Sequence, residues 1–128
     1  ERSGVVLLVE DEETVRQMAT DILMEGGYTV LAAATPQQAL AVCADPAQKI
    51  DLLLTDVIMP EINGRELSRK ISKARPGIKV VFMSGYAADI LSEDGKDAEA
   101  PFIKKPFSVQ ALLEIIERQL AVPGAERD

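Results

Sequence analysis

Charged and hydroxyl side chains stand at the ends of four separate apolar runs of the sequence. They are the acid pair Glu10 and Asp11 after residues 5–9, Asp56 after residues 50–55, Ser84 after residues 78–83, and Lys105 after residues 102–104. Carboxylates that meet in one place repel one another unless a cation neutralises them. Oxygen ligands of this kind select Mg²⁺, which proteins usually bind through one or two carboxylates beside a phosphate. If the four runs end side by side, the residues predict a magnesium site for phosphoryl chemistry.

Each of these residues also has an ordinary structural interpretation. Acidic residues at a helix start, such as Glu10 to Glu13, commonly do no more than complement the helix dipole. Ser84 alone suits a turn or a helix N-cap, and a lone Lys105 suits a solvated surface. Asp56 favours a functional role by itself, because a carboxylate at the end of a buried strand is desolvated unless something pairs with it. Only the combination of residues is therefore diagnostic.

Apolar runs and stretches of helical spacing alternate along the whole chain. Strands are predicted over residues 5–9, 28–33, 50–55, 78–83 and 102–104. Helices are predicted from Val15 to Gly26, from Pro36 behind an N-cap at Thr35, from Asn63-Gly64 to Pro76, over 87–91, and over 109–120. Such alternation predicts an α/β fold, in which a parallel sheet has helices on both faces and functional residues gather at the carboxyl ends of the strands.

The composition indicates one soluble globular domain and excludes several classes of function. The 128 residues fit a single domain, taken as residues 5–121 between a linker, 1–4, and a flexible tail, 122–128. The formal net charge of −7 argues against binding to nucleic acid, and no apolar run is long enough for a membrane span. The absence of histidine excludes a Ser-His-Asp hydrolase. The lone Cys43 lies in an apolar stretch, which predicts a buried thiol and a protein of the reducing cytoplasm.

Four strings of the sequence resemble a known family. LLVEDE, LLLTDVIMPEINGREL, VVFMSGY and FIKKPF, in this order and spacing, resemble the receiver (phosphoacceptor) domain of two-component response regulators. The resemblance extends over about residues 5–120. It implies a flavodoxin-like, three-layer αβα fold with a five-stranded parallel sheet in the order 2-1-3-4-5.

The resemblance also implies a role for each residue of the site. Asp56 matches the phosphoryl acceptor, Glu10 and Asp11 match the acid pair that holds Mg²⁺, and the backbone carbonyl of Ile58 matches a further metal ligand. Ser84 and Lys105 match the residues that contact the phosphoryl group, Phe102 matches the switch aromatic, and the Lys105-Pro106 bond is expected to be cis. Two residues depart from the common pattern, since the family more often has Asp at position 10 and Tyr at position 102.

A domain without histidine needs a partner that supplies the phosphohistidine, so a histidine kinase or a histidine phosphotransfer domain is expected. Apolar residues are predicted to form a docking collar around Asp56, namely Val15, Met18, Ile58, Pro60, Pro106 and Phe107. No contact of this domain with nucleic acid or a membrane is expected, and a homodimer is left open.

The strings LLVEDE and FMSGY are similar to receivers of hybrid sensor histidine kinases, which would tether this domain to the inner membrane through its parent. A single-domain regulator and a truncated transcription factor are alternatives. A non-catalytic, receiver-like interaction module is the alternative function. A haloacid-type phosphohydrolase is disfavoured, because Ile58 stands where that class needs a second Asp.

Overall fold

Five strands and four helices make up the parts of the chain that the structure describes. The computed structural model describes residues 3–59, 62–85 and 101–121. The strands are β1 (Val5–Val9), β2 (Thr29–Ala33), β3 (Leu52–Asp56), β4 (Lys79–Ser84) and β5 (Phe102–Lys104). The helices are α1 (Glu13–Glu25), α2 (Pro36–Cys43), α3 (Gly64–Ala74) and α4 (Val109–Ala121). The helix predicted over 87–91, the predicted tail, and Pro60 of the predicted collar lie outside the described residues.

All five strands are parallel and form one sheet in the order β2-β1-β3-β4-β5. This order confirms the predicted flavodoxin-like topology. The chain winds outward in one direction from β1 to β2 and in the other from β3 to β5, so a crevice opens outside the carboxyl ends of β1 and β3. The sheet thereby brings the residues that follow these two strands to one place.

The central strands are buried on both faces, which explains their continuous apolar sequences. On β1, Val6 and Leu8 pack in a cluster with residues of α1 and α4, whereas Leu7 and Val9 pack in a second cluster with residues of α2 and α3. Every residue of β3 is buried. Because burying one such side chain contributes about 1.5–3 kcal/mol, the two clusters hold the strand ends in fixed positions.

Capping groups supplied by the sequence set the helix boundaries. Thr35 Oγ1 accepts a hydrogen bond of 3.1 Å from the backbone N–H of Gln38, and Pro36 opens α2, as predicted. Gly27, shortly after α1, has a φ of 100°, a conformation that favours glycine. Asn63 Oδ1 accepts a hydrogen bond of 2.8 Å from the N–H of Glu66, which fixes the start of α3.

The observed strand ends differ from the predicted ones. β3 and β4 each end one residue later than the apolar runs, because the ladder pairs Asp56 with Met83 and β4 continues to Ser84. Asp56 and Ser84 are therefore the last residues of buried strands rather than loop residues. α1 begins at Glu13, two residues before the predicted Val15.

None of the described helices is long and apolar enough to cross a bilayer.

Cys43 is buried, with 5% of its surface exposed, in the cluster between the sheet and the α2 and α3 helices. Burial raises the pKa of its thiol, and the positive charge of Arg75 only partly opposes this rise. We therefore expect Cys43 to react with a disulfide reagent such as Ellman's reagent at pH 8 at least 100-fold more slowly in the folded protein than in 6 M guanidinium, since reaction requires an exposed thiolate. Equal rates in the two states would contradict the burial of this thiol.

Candidate functional site

Three carboxylates meet outside the carboxyl ends of β1 and β3. Glu10 and Asp11 directly follow β1, and Asp56 ends β3. One oxygen atom from each of the three carboxylates lies within 4.8 Å of the others. Glu10 is 1% exposed and Asp56 7% exposed, whereas Asp11 is open to solvent. Adjacent parallel strands have thus gathered negative charge into a place where water screens it poorly.

Lys105 supplies a positive charge to this group. Its Nζ lies 3.0 Å from Glu10 Oε1 and 2.9 Å from Asp56 Oδ2. The residue directly follows β5, its N–H donates to the carbonyl of Ser84 at 2.8 Å, and the Lys105-Pro106 bond is cis, as predicted. One lysine against three carboxylates leaves the group with a net negative charge.

Glu10 and Asp11 have different surroundings although they are neighbours in sequence. Both oxygens of the Glu10 carboxylate accept hydrogen bonds, Oε1 from Lys105 and Oε2 from the N–H of Glu12 at 3.1 Å. Arg16 Nη1 holds the backbone of Glu10 by donating to its carbonyl at 2.9 Å. Within the described residues, the Asp11 carboxylate accepts no hydrogen bond. Asp11 is therefore the carboxylate most available to an incoming cation.

The pKa values of the buried pair reflect both burial and pairing. Burial raises the pKa of Glu10, and the hydrogen bonds from Lys105 and from the N–H of Glu12 only partly oppose the rise. Burial alone would lower the pKa of Lys105, but its hydrogen bonds to Asp56 and Glu10 outweigh burial and raise it. Lys105 therefore carries its charge at neutral pH.

Asp56 is held by the loop that follows it. The N–H of Ile58 donates to Asp56 Oδ1 at 3.3 Å, and the N–H of Val57 donates to the carbonyl of Met83 at 3.0 Å. The Ile58 side chain is 55% exposed beside the carboxylates. Ser84 is fully buried at the end of β4, the strand next to β3. The predicted acceptor, the predicted metal ligands Glu10 and Asp11, and Lys105 thus lie together.

Two residues of the predicted apolar collar line a groove. Met18 and Phe107 line a cavity of about 600 Å³ between α1 and the start of α4, together with Ile22 and Val109. Val15 and Phe107 are half-buried, whereas Pro106, Ile58 and Met18 are exposed. Glu13 and Asp21 also line this groove and give it an acidic rim. The groove therefore extends away from Asp56 along α1, beyond the predicted collar.

A family model described as "Response regulator receiver domain" matches residues 6–117 of the chain. The chain is a response regulator receiver domain. The resemblance carried by the four sequence strings is thereby confirmed. Receiver domains act in two-component signal transduction, where they bind Mg²⁺ at an acidic pocket and interact with histidine kinases or phosphotransfer proteins.

Two relatives from Brucella abortus (strain 2308) differ in length. The receiver domain is 40% identical over 119 residues to the sensor kinase CckA, covering 92% of this chain and 13% of that protein. It is 34% identical over 117 residues to the response regulator receiver protein CpdR, covering 90% of this chain and 95% of that protein. The chain thus spans a small part of CckA and nearly all of CpdR.

Solved structures show the same fold. The receiver domain of the hybrid histidine kinase CckA superposes with a TM-score of 0.76 at 37% identity, covering 91% of this chain and 99% of that one. The response regulator TrrA from Thermotoga maritima, solved in complex with Mg²⁺-BeF, superposes with a TM-score of 0.79 at 26% identity, covering 91% of this chain and 98% of that one.

Three features of the site were not predicted from the sequence. Arg16 contacts Glu10 from the first turns of α1, Val109 extends the apolar groove, and Gly64 lies against the backbone of Asp56. Arg16 and Val109 have the helical spacing of ordinary surface residues, so nothing in the sequence marks them. The pair Asn63-Gly64 does carry a signal, but it indicates a helix start rather than a contact with the site.

Replacing Lys105 tests the ion pairs of the site. We expect Lys105→Met to lower the free energy of unfolding by about 2–4 kcal/mol in metal-free buffer at pH 7, because the buried carboxylates of Glu10 and Asp56 lose their counter-ion. Lys104→Met is the matched control, since Lys104 is exposed at the end of β5. Urea titration gives both values, and equal losses in the two variants would contradict this role of Lys105.

Proposed function

We propose that this receiver domain accepts a phosphoryl group on Asp56 from a phosphohistidine, with Mg²⁺ bound beside it. The observation that carries the proposal is the bridge from Lys105 to the carboxylates of Glu10 and Asp56, with the open carboxylate of Asp11 within 4.8 Å. An uncompensated carboxylate group of this kind is costly to the fold, which favours a role in binding a cation.

The donor set fits Mg²⁺. All candidate ligands are oxygen atoms, which is the chemistry that this hard cation prefers. Asp11, Asp56 and the carbonyl of Ile58 would hold the ion. Glu10, whose two oxygens already accept hydrogen bonds, would contribute through water. When bound, Mg²⁺ supplies positive charge that offsets the carboxylates and the phosphoryl oxygens.

The side chains of this chain account for the remaining chemistry. A carboxylate oxygen of Asp56 forms the new bond to phosphorus as the phosphorus–nitrogen bond of the donor breaks, and the electron pair of that bond leaves with the imidazole. No proton has to be removed from a carboxylate nucleophile. Lys105, held in place by Glu10, and Ser84 then stabilise the negative charge on the transferred oxygens.

We propose that the signal leaves the site through the aromatic residues of β4 and β5. Phe102 pairs with Phe82 in the sheet, and the buried Arg65 guanidinium lies 5.9 Å from the centre of the Phe82 ring. Movement of Ser84 toward a phosphoryl group would disturb the end of β4 and allow Phe102 to repack. Phe102 has no hydroxyl group to satisfy, so it can move inward without a polar partner.

We propose that the domain, taken as residues 5–121, belongs to a hybrid sensor histidine kinase that is tethered to the inner membrane and presents this domain to the cytoplasm. The similarity to CckA in sequence and structure supports this parent. Residues 1–4 would then be its linker and residues 122–128 a flexible tail. The similarity to CpdR over nearly its full length supports a single-domain regulator as the second candidate.

Substitution of Asp56 distinguishes a phosphoryl acceptor from a non-catalytic interaction module. We expect Asp56→Asn to abolish labelling by acetyl phosphate and Mg²⁺, because an amide is not a nucleophile toward phosphorus. Intact-mass spectrometry would show the added phosphoryl group in the wild type. The control is Asp45→Asn, an exposed position after α2, which should be labelled normally. Labelling of Asp56→Asn at the wild-type level would contradict the assignment of Asp56 as the phosphoryl acceptor.

The groove between α1 and α4 generates a prediction about the partner. We expect Met18→Glu to slow phosphoryl transfer from the partner's phosphohistidine about tenfold, because the substitution places a charge in the apolar groove, where the few residues at the centre of an interface each contribute more than about 1 kcal/mol. Met24→Glu is the matched control, since Met24 is 59% exposed on the same helix but does not line the groove. Both variants should be labelled by acetyl phosphate at the wild-type rate. Equal slowing in both variants would place the docking surface elsewhere.

A further inference from the structure

Gly64 opens α3 directly against the backbone of Asp56. A Cβ atom at this position would lie 2.9 Å from the carbonyl carbon of Asp56 and 3.1 Å from Val57 Cα, and closer still to the carbonyl oxygen of Asp56. These are backbone atoms, which cannot rotate away as a flexible side chain can. The start of α3 therefore leaves no space for any side chain at residue 64.

Conformational freedom does not explain this glycine. Gly27 and Gly77 have φ values of 100° and 94°, which favour glycine, whereas the φ of Gly64 is not in that left-handed region. Alanine stabilises a helix relative to glycine, so helix propensity alone would favour alanine here. The requirement for glycine at residue 64 is therefore one of space.

The same contact closes the loop that carries Ile58. The N–H of Gly64 donates to the carbonyl of Val57 at 2.7 Å, and the N–H of Ile58 donates to Asp56 Oδ1. A displacement of α3 away from the carbonyl of Asp56 would therefore move the backbone of Val57. Because Val57 stands between Asp56 and Ile58, the Asp56 carboxylate and the Ile58 carbonyl would both shift.

We infer that Gly64 is a positioning residue of the phosphoryl-transfer site: the missing side chain lets α3 sit on the carbonyl of Asp56 and so sets the Asp56 carboxylate and the Ile58 carbonyl relative to Asp11. The inference rests on the proposed function. Mg²⁺ requires nearly ideal octahedral geometry, so it is sensitive to the placement of its ligands. A displacement of about 1 Å in a catalytic group can cost about 100-fold in rate.

The test measures metal affinity and folding stability separately. We expect Gly64→Ala to weaken Mg²⁺ binding, measured by calorimetry, about tenfold or more and to slow labelling by acetyl phosphate, while a cooperative unfolding transition is retained. The amide resonances of Val57 and Ile58 should shift in the metal-free variant. Gly85→Ala is the matched glycine control, since a Cβ at Gly85 meets no described atom within 4 Å, and it should bind Mg²⁺ like the wild type.

A second control separates positioning from stability. Leu67 is fully buried on the same helix, and Leu67→Ala should lower the unfolding midpoint while the folded protein keeps its Mg²⁺ affinity within about twofold. Wild-type affinity in Gly64→Ala, an equal loss of affinity in Leu67→Ala, or a Gly64→Ala chain with no folded fraction at 10 °C would each overturn the inference. Absence of Mg²⁺ binding by the wild type would instead overturn the proposed function, and this inference with it.

Discussion

The arrangement of the site depends on the attraction between one lysine and two buried carboxylates. Lys105 reaches from the end of β5 to Glu10 after β1 and to Asp56 at the end of β3, and so links three strand ends across the sheet. Neither carboxylate is exposed enough for water to replace this partner. The surrounding fold has to hold these three groups within hydrogen-bonding distance, and both apolar clusters serve that requirement by fixing the strands.

Lys105 neutralises the negative charge of the site only in part, because a third carboxylate, that of Asp11, has no counter-ion among the described residues. A fully neutralised group would be more stable but would have little affinity for a divalent cation. The two neighbouring acids differ in this respect, since both carboxylate oxygens of Glu10 accept hydrogen bonds within the protein and those of Asp11 accept none from the described residues. The protein therefore holds one acid as an anchor and leaves its neighbour open.

The parallel α/β architecture could be predicted from the sequence because both central strands are buried on two faces and so read as unbroken apolar runs. The strand order was implied by the resemblance of the four sequence strings to receiver domains. The N-cap at Thr35 and the burial of Cys43 were predicted correctly for similarly local reasons. The ends of the strands were harder to predict, because the pairing of Asp56 with Met83 depends on a neighbouring strand. Contacts between distant segments, such as Arg16 with Glu10 and Gly64 with Asp56, have no local signature. The functional roles of the site residues stay predictions.

The two apolar clusters on opposite faces of the sheet have a consequence for how such a domain can diversify. The groove beside Met18 and Phe107 belongs to the face covered by α1 and α4, whereas the α3 contact on Asp56 belongs to the other face. The residues that line the groove do not include Gly64 or Asp56. With the partner docked in this groove, as proposed, a substitution at an exposed position such as Met18 would alter the fit of the partner without reaching the contact between α3 and Asp56.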